Sequence, residues 1–461
     1  MSVRLLRSVA SRSVIAAVLA IAAPATAQTV SATTPPPPDQ EAGTTGPDTQ
    51  SQSEGQSDVV VTGTRIQRPN LTSTSPLTVV DDTEIRLQGS VNVENTLNRL
   101  PQVTADSNEN GSNGSDGTAR VNLRDLGSNR NLVLVNGQRL LPVQAVDINF
   151  IPAFLVERID VVTGGASAVY GSDAISGVVN FILRDNLQGM RIDTQYSFAQ
   201  HDNNNEFTRG VIAARNFVAA PRNVLDGQKF DFNVGFGSNF DEGRGNVTAY
   251  GGYRHVRPIL QSDRDVSACA FDPNPARDGF ICGGSINNPF GYFNPLSGPN
   301  RGREVNNARD GTKTWVPYDS SFLYNYTPLN YFQRSERRYT AGAFAKYEVT
   351  KAAELYGSFM FMDVHTFSQV APSALFSGTT FTVNCDNPLL APAQASFLCG
   401  TAAGTATNAT TLIGYRPTDG NALPRRNDIR LTDYRITGGL RGEIAEGVRY
   451  DLNFLRSIVM R

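Results

Sequence analysis

Met190-Arg191-Ile192-Asp193-Thr194-Gln195-Tyr196-Ser197-Phe198 alternates large or apolar side chains with polar ones, residue by residue. Successive side chains of an extended chain point to opposite faces, so this run predicts a strand with one apolar and one polar face. The pattern recurs in Phe230, Phe232, Val234, Phe236 and Phe240 against Asp231, Asn233, Gly235 and Asn239. It returns in Tyr339, Ala341, Ala343, Ala345 and Tyr347 against Thr340, Lys346 and Glu348, although Phe344 interrupts the polar row. Tyr450, Leu452 and Phe454 against Arg449, Asp451 and Asn453 repeat it again.

About eight such segments are expected, at 189–199, 206–217, 228–240, 245–256, 338–349, 353–364, 432–443 and 448–459. Most are close to the ~10 residues with which a tilted strand crosses a bilayer. The short turn Asp241-Glu242-Gly243-Arg244 contrasts with long connections at 257–337 and 365–431. Short turns on one side and long loops on the other are the pattern of a transmembrane β-barrel. A soluble β-sandwich would alternate in the same way, but without such unequal loops.

The 461 residues are 40% hydrophobic with a net charge of -2, and the mean hydropathy is -0.27. Beyond the N-terminus no stretch approaches the ~20 consecutive apolar residues of a membrane-spanning helix, which excludes a helical membrane protein. Scattered Lys and Arg with a near-neutral total offer no basic field for a nucleic-acid backbone, so nucleic acid is not an expected partner.

Arg4, Arg7 and Arg12 precede an apolar run from Val14 to Ala23, and Ala25-Thr26-Ala27 follows. This is the charge, apolar core and small-residue order of a secretory signal, too short for a retained anchor, with cleavage expected after Ala27. Residues 1–27 are therefore read as a signal peptide and the mature protein as exported. Residues 28–57 are Pro, Ser, Thr, Gln and Gly with few large apolar side chains. Such a segment cannot offset its ordering entropy and is read as a flexible periplasmic tether. Cys269 with Cys282 and Cys385 with Cys399 form two local pairs in Pro/Gly/Asn-rich stretches. In an exported chain this favours two loop-closing disulfides over a metal site.

Between Asp58 and Arg184 the pattern is mixed α/β. Leu77 to Val80 predicts a strand, and Asp81 or Asp82 can cap a short helix that stops at Gly89. A second helix is expected from Val93 to Arg99, before Pro101. Leu132 to Val135, Asn136-Gly137 and Gln138 to Leu141 predict a hairpin with a type I′ turn, and Val178 to Leu183 a buried strand.

Three motifs in this region carry a resemblance. They are NLRDLG at 122–127, NLVLVNGQR at 131–139 and ERIDVVTGGASAVYGSDAISGVVN at 157–180. Together they resemble the plug of TonB-dependent receptors, and with the strands that follow the resemblance extends over everything after Ala27. It implies an α/β plug domain at 66–187 followed by antiparallel transmembrane β-barrel strands at 188–461. In the longest motif Gly164, Gly165, Gly171 and Gly177 permit tight turns, and small alanines let a short helix approach a sheet. Tyr170 and Asp173 belong to that packing. Residues 58–65, led by Asp58, Val59, Val60, Val61, Thr62 and Gly63, look like the TonB box. Three valines favour an extended backbone that can add to the sheet edge of a periplasmic partner; an ordinary first plug strand is the other reading.

The resemblance also implies contacts of Arg120, Arg124, Arg139 and Arg158 with the inner barrel wall. The loop 106–117 (DSNENGSNGSDG) begins like a calcium loop but has Gly117 where a bidentate Glu is required. It reads instead as a plug apex, whose Asn113 and Asp116 are candidate ligand contacts. Trp315 and Tyr318, in the loop 257–337, are further candidates, although interfacial aromatic girdles produce the same composition.

No nucleophile elbow, HExxH motif or phosphate loop occurs, and His201, His255 and His365 are isolated. No enzyme activity, catalytic residue, metal or cofactor is expected. The chain departs from the family pattern at Gln102 and Asp125, both where Gly is usual, and it ends in Met460-Arg461 without a terminal aromatic. Only about eight strands are expected, against about 22 in plugged outer-membrane transporters. An eight-stranded barrel has no room for a plug, so the barrel is expected to be incomplete here and the chain to be a truncated form.

The expected function is energised uptake of a scarce ligand, such as a ferric siderophore or carbohydrate, at the bacterial outer membrane. The expected partners are the inner-membrane TonB complex, outer-membrane lipid and a small external ligand. A non-transporting remnant or a surface-binding outer-membrane protein is the alternative. A signal-transducing receptor is disfavoured, since 28–57 leaves no room for a further periplasmic domain.

Overall fold

The computed structural model describes residues 76–89, 92–164, 166–274, 276–418 and 423–461. The segments read from the sequence as a signal peptide (1–27), a tether (28–57) and a TonB box (58–65), and also Gly165, lie outside the described residues. The first part is a five-stranded sheet whose spatial order is Leu77–Asp81, Val156–Val162, Gly177–Leu183, Asn131–Val135 and Gln138–Arg139. Neighbouring strands are antiparallel except Asn131–Val135, which runs parallel to Gly177–Leu183.

Local chemistry sets these elements. Asp81 caps the helix Asp82–Leu87 by accepting a hydrogen bond from the Glu84 amide at 2.8 Å. Asn136 and Gly137 turn the hairpin with φ of 48° and 77°, the positive values that a type I′ turn demands. Asn180, from the long glycine motif, accepts from the Gly137 amide at 3.0 Å and so ties the hairpin to the neighbouring strand. At Asp125, where the resemblance leads one to expect Gly, and at Arg124 before it, the backbone is left-handed, with φ of 56° and 59°. Asn122 holds this turn, its amide donating to Asp125 Oδ1 and its carbonyl oxygen accepting from the Gly127 amide. Two side-chain bonds thus offset a conformation that Gly would adopt without strain.

From Gly189 onward seven long strands form one antiparallel meander: Gly189–Asp202, Asn223–Phe240, Gly245–Val256, Ser335–Thr350, Ala353–Val370, Arg425–Ala445 and Val448–Met460. They are joined at one end by residues 241–244, 351–352 and 446–447, and at the other by 203–222, 257–334 and 371–424. Several strands exceed the expected length, reaching 18 residues in Asn223–Phe240 and Ala353–Val370 and 21 in Arg425–Ala445. Their outer parts pair with each other beyond the apolar band, as Phe367 does with Asp428, so the ladder continues where the apolar alternation stops.

The stretch 206–217 corrects the expectation of a strand. It forms the helix Glu206–Ala213, with Asn205 accepting from the Thr208 amide at 3.2 Å. The cap and the burial of Ile212 against Ala268, Cys269 and Cys282 decide the conformation, while the apparent alternation is too short to compete.

Polarity across the meander is inverted relative to a soluble sheet. Met190, Phe236 and Phe454 are 69%, 59% and 66% exposed, whereas Asp231, Arg254, Arg338 and Arg435 on the opposite face are buried. The buried face packs on the plug. Tyr250, Phe344, Met360, Met362, Val364 and Leu431 join the same apolar cluster as Leu155, Ile159, Val161 and Phe181 of the plug sheet. Phe154 meets Tyr250 edge-on at 6.2 Å, and Tyr250 stacks on Phe344 at 6.0 Å.

Gly177 sits at the closest backbone approach in the plug. Its φ is 149°, and a Cβ there would lie 2.3 Å from the Val162 carbonyl oxygen, a backbone atom that cannot step aside. Gly177→Ala is expected to cost about 1–3 kcal/mol or more, and Gly137→Ala, strained in φ but facing open space, only about 1 kcal/mol. Thermal unfolding of the purified protein in detergent checks this ranking; equal losses would contradict it.

Candidate functional site

The contact between plug and strand wall is built around buried charge. Register places Asp231, Arg254 and Arg338 side by side on three neighbouring strands. The alternation that sends Phe232 and Tyr253 outward sends these three inward. Arg254 lies 3.3 Å from each of three carboxylates, Asp231 and Glu336 on the wall and Glu109 on the plug. Lys229 donates to the second oxygen of Glu109. Arg338 pairs with Glu336 at 2.6 Å and donates to two plug acceptors, Asn92 Oδ1 and the Asn149 carbonyl, both at 2.9 Å. The Asn92 amide completes the circuit by donating to Glu109 at 3.3 Å. Burial alone would push the Glu109 carboxyl up, but Lys229 and Arg254 outweigh it and hold it below its usual range. Glu109 is therefore charged, as its three partners require.

The apex loop hangs from two residues, Arg334 just before the strand Ser335–Thr350 and Gln369 near the end of Ala353–Val370. Arg334, 1% exposed, donates to Ser115 Oγ at 2.8 Å and to the Gly117 and Thr118 carbonyls at 2.8 and 3.0 Å. Its own amide donates to the Glu109 carbonyl at 2.8 Å. Ser112 Oγ donates to the Gln369 carbonyl at 2.6 Å and accepts from the Gln369 amide at 3.1 Å. Gly117 has to be glycine here: at φ 83° a Cβ would lie 2.9 Å from Thr366 and 3.0 Å from Ile429. Lower on the wall Arg435 donates to the Arg139 carbonyl at 3.2 Å, and Gln138 donates to Tyr356 Oη at 2.8 Å.

Cations therefore come mainly from the wall, and acceptors from the plug. Of the four plug arginines singled out in the sequence, Arg120 pairs with Asp116, Arg139 with Asp173 at 2.7 Å and Arg158 with Asp160 at 3.1 Å, all partners within the plug. Arg124 is exposed in the left-handed turn. Only Arg139 also meets a wall side chain in the bonds just described, and it does so through its backbone carbonyl. Arg254, Arg334, Arg338 and Arg435 were not singled out from sequence. Arg254, Arg338 and Arg435 were findable in one respect, since each falls on the polar phase of an alternating segment.

The other candidates separate. Asn113 is exposed on the apex loop. Asp116 accepts from Thr118 and Ser107; burial raises its carboxyl, but the Thr118 bonds and Arg120 outweigh this and keep it below its usual range. Trp315 and Tyr318 are instead packed inside the long loops, Trp315 against Phe293 at 4.8 Å and Phe397 at 5.5 Å, and Tyr318 against Tyr292 at 5.4 Å. Gly164, Gly171 and Gly177 all have positive φ, and Tyr170 packs on the cluster of Leu132, Leu134, Val162 and Val178. Cys269 is disulfide-bonded to Cys282 and Cys385 to Cys399, with Cα separations of 5.6 and 5.9 Å. Among the described residues no group of three or more His, Cys, Asp or Glu is placed to hold a metal ion.

A cavity of about 170 Å³ separates the first plug helix from the wall, lined by Asp82, Arg86 and Phe154 on one side and Arg191, Asp193 and Asn233 on the other. At its rim Gln195 donates to the Gly89 carbonyl at 2.6 Å.

Glu94, 2% exposed in the plug helix Val93–Leu97, accepts from Asn98 and leaves its second oxygen without a hydrogen bond. Burial, reinforced by the nearby Glu109 charge, pushes its carboxyl up to about 7. Because the folded value lies above the ordinary 4.5, the folded chain binds the extra proton between these limits. The resulting stability is full below pH 4.5 and is lost as pH rises through about 7. Glu94→Gln is expected to flatten that slope, raising stability at pH 8 by about 3 kcal/mol at most. Chemical unfolding at pH 5 and pH 8 measures it, and an unchanged slope would count against the assignment.

Residues 69–178 match the family model described as TonB-dependent Receptor Plug Domain. The chain is similar to a ferric enterobactin receptor solved in complex with BCV-L6, at 15% identity and a TM-score of 0.45, over 84% of this chain and 41% of that one. It is also similar to a mutant ferric enterobactin receptor from Pseudomonas aeruginosa, at 14% and 0.37, over 83% and 49%. The siderophore receptor PirA from Acinetobacter baumannii aligns at 13% and 0.36, over 83% and 47%. The chain thus spans less than half the length of each of these structures. It carries a TonB-dependent receptor plug domain at residues 69–178, followed by the antiparallel strands of a partial β-barrel.

Proposed function

We propose that this chain belongs to an outer-membrane receptor that takes up a scarce external ligand, a ferric siderophore or a carbohydrate, at the expense of energy delivered through TonB. The observation that supports this most directly is the pairing of a plug domain with a wall of inverted polarity. An apolar outward face such as Met190, Phe236 and Phe454 suits lipid, and the inward polar face is neutralised by the plug. The ion pairs and hydrogen bonds of that seam can be exchanged for water when the plug is pulled, at lower cost than an apolar contact of equal area.

In this reading Asp58 to Gly63 is the box by which the periplasmic partner grips the chain, adding it as a strand to its own sheet edge. Asn113 and Asp116 at the apex are the first groups an arriving ligand meets, whereas Trp315 and Tyr318 support the loops that surround it. Arg139 ties plug to wall, and Arg120 and Arg158 brace the plug internally.

Val60→Pro removes a backbone donor needed for strand addition while leaving the plug untouched. In cells that depend on the full gene product for a supplied ferric siderophore or oligosaccharide, uptake is expected to fall to background while surface binding in the cold persists. Uptake at the parental rate would overturn the box assignment.

A further inference from the structure

The outward face of the wall changes its chemistry at the long-loop end. Tyr253 meets Tyr339 at 5.2 Å and Phe230 at 6.4 Å, and Phe361 meets Tyr434 at 5.0 Å. These rings form an aromatic girdle at the edge of the apolar band, answered at the short-turn end by Phe240 stacked on Tyr347 at 5.8 Å. Beyond the upper girdle, register aligns His255 with Arg337, Arg337 with His365 and His365 with Arg430. Four neighbouring strands thus carry one row of four basic residues. The row faces outward: His255, Arg337 and Arg430 are exposed and His365 is half-buried, whereas Arg254, Val256, Glu336, Arg338, Val364, Thr366 and Leu431 beside them are buried. It stops at the next strand, where Phe230 lies opposite His255.

The row is only partly neutralised by the protein. Arg430 pairs with Asp363 at 3.1 Å and His365 with Asp428 at 2.5 Å. Among the described residues the side chains of Arg337 and His255 have neither an ion pair nor a hydrogen bond. At the short-turn end, by contrast, Arg244 is met by Asp241, Arg441 by Glu354 and Arg449 by Glu443. A cation without a counter-ion just beyond an aromatic girdle stands at the depth of lipid headgroups, where the available anion is phosphate. Neighbouring strands lie about 4.8 Å apart, so the row is about 14 Å long, more than a single phosphate can cover.

We propose that this row binds the headgroup of a lipid that carries more than one phosphate, in the leaflet on the long-loop side. Arg337 grips one phosphate with its guanidinium fork, with His255 and His365 as donors on either side. Arg430, held by Asp363 and two strands away at about 10 Å, reaches the second phosphate. The girdle below gives the acyl chains an apolar ledge. The inference rests on the reading of the wall as membrane-facing.

The experiment is native mass spectrometry of the full gene product, purified from outer membranes in a non-ionic detergent and titrated with a diphosphorylated glycolipid, lipid A, or with its monophosphoryl form. The monophosphoryl lipid is expected to be retained about five-fold less than the diphosphoryl one. Arg337→Gln is expected to lower retention of the diphosphoryl lipid about five-fold, and Arg430→Gln, which leaves Asp363 uncompensated in the row, by at least as much. Arg449→Gln, at the short-turn end, should leave it at the parental value. Equal retention of the two lipids overturns the proposal, and so does an equal loss in Arg449→Gln or an Arg337→Gln protein that holds the lipid as the parent does. Should Arg337→Gln fail to accumulate as a folded barrel, Arg430→Gln is read in its place, and undiminished retention there has the same force. Protein that needs no detergent would sink the membrane reading itself, whereas detergent-dependent protein that retains neither lipid overturns the headgroup site alone.

Discussion

Arg254 is the point at which plug and wall become one structure. A guanidinium removed from water costs several kcal/mol unless its partners are close and complementary, and here three carboxylates surround it, only one of them from the plug. Without Glu109 the wall would still hold Asp231 and Glu336 against Arg254, but Lys229 would lose its carboxylate and Arg254 a third of its compensation. Without the wall Glu109 would be a carboxylate near Glu94 with no cation bonded to it. Each half thus carries charges that only the other neutralises, and the seam is specific for that reason.

The seam has two characters. Toward the long-loop ends it consists of ions, amides and backbone carbonyls, with Arg334, Arg338 and Gln369 reaching onto the plug. Beside it Met360, Met362, Val364 and Leu431 give the plug sheet an apolar bed. Apolar contact is non-directional and tolerates sliding, whereas the bonds fix one position of the plug. A plug held in this way is located by its directional bonds and bedded on apolar contact. The division of labour by charge follows from geometry. An apex loop rich in Gly, Ser and Asn exposes backbone carbonyls, which are acceptors, so the long donors have to come from the wall.

The long loops are ordered by the same economy. Residues 257–334 contain enough aromatic side chains to pack on each other, and strand pairing with 371–424 satisfies backbone groups that would otherwise need water. The disulfides shorten the free segments within this body, and the Cys269–Cys282 bridge provides the apolar surface on which the helix Glu206–Ala213 settles.

Much of this was legible in the chain itself. The period of two in 190–198 and its repeats, the unequal loops, the Asn136-Gly137 turn and the glycine motif at 157–180 each express a local rule, and local rules are written in neighbouring residues. They were enough to predict the strands of the wall, with one apolar and one polar face, while the plug was read from the resemblance its motifs carry. The helix at 206–213 escaped because a few alternating residues cannot outvote a cap and a buried Ile212. The partners of Arg254, Arg334 and Arg338 escaped for a deeper reason. Alternation says which face a side chain takes, but which acceptor it meets there depends on strand register and on how a separate sheet is seated against that face. Arg334 and Gly117 are 217 positions apart, and only the folded chain brings a donor of fixed reach to a carbonyl at 2.8 Å.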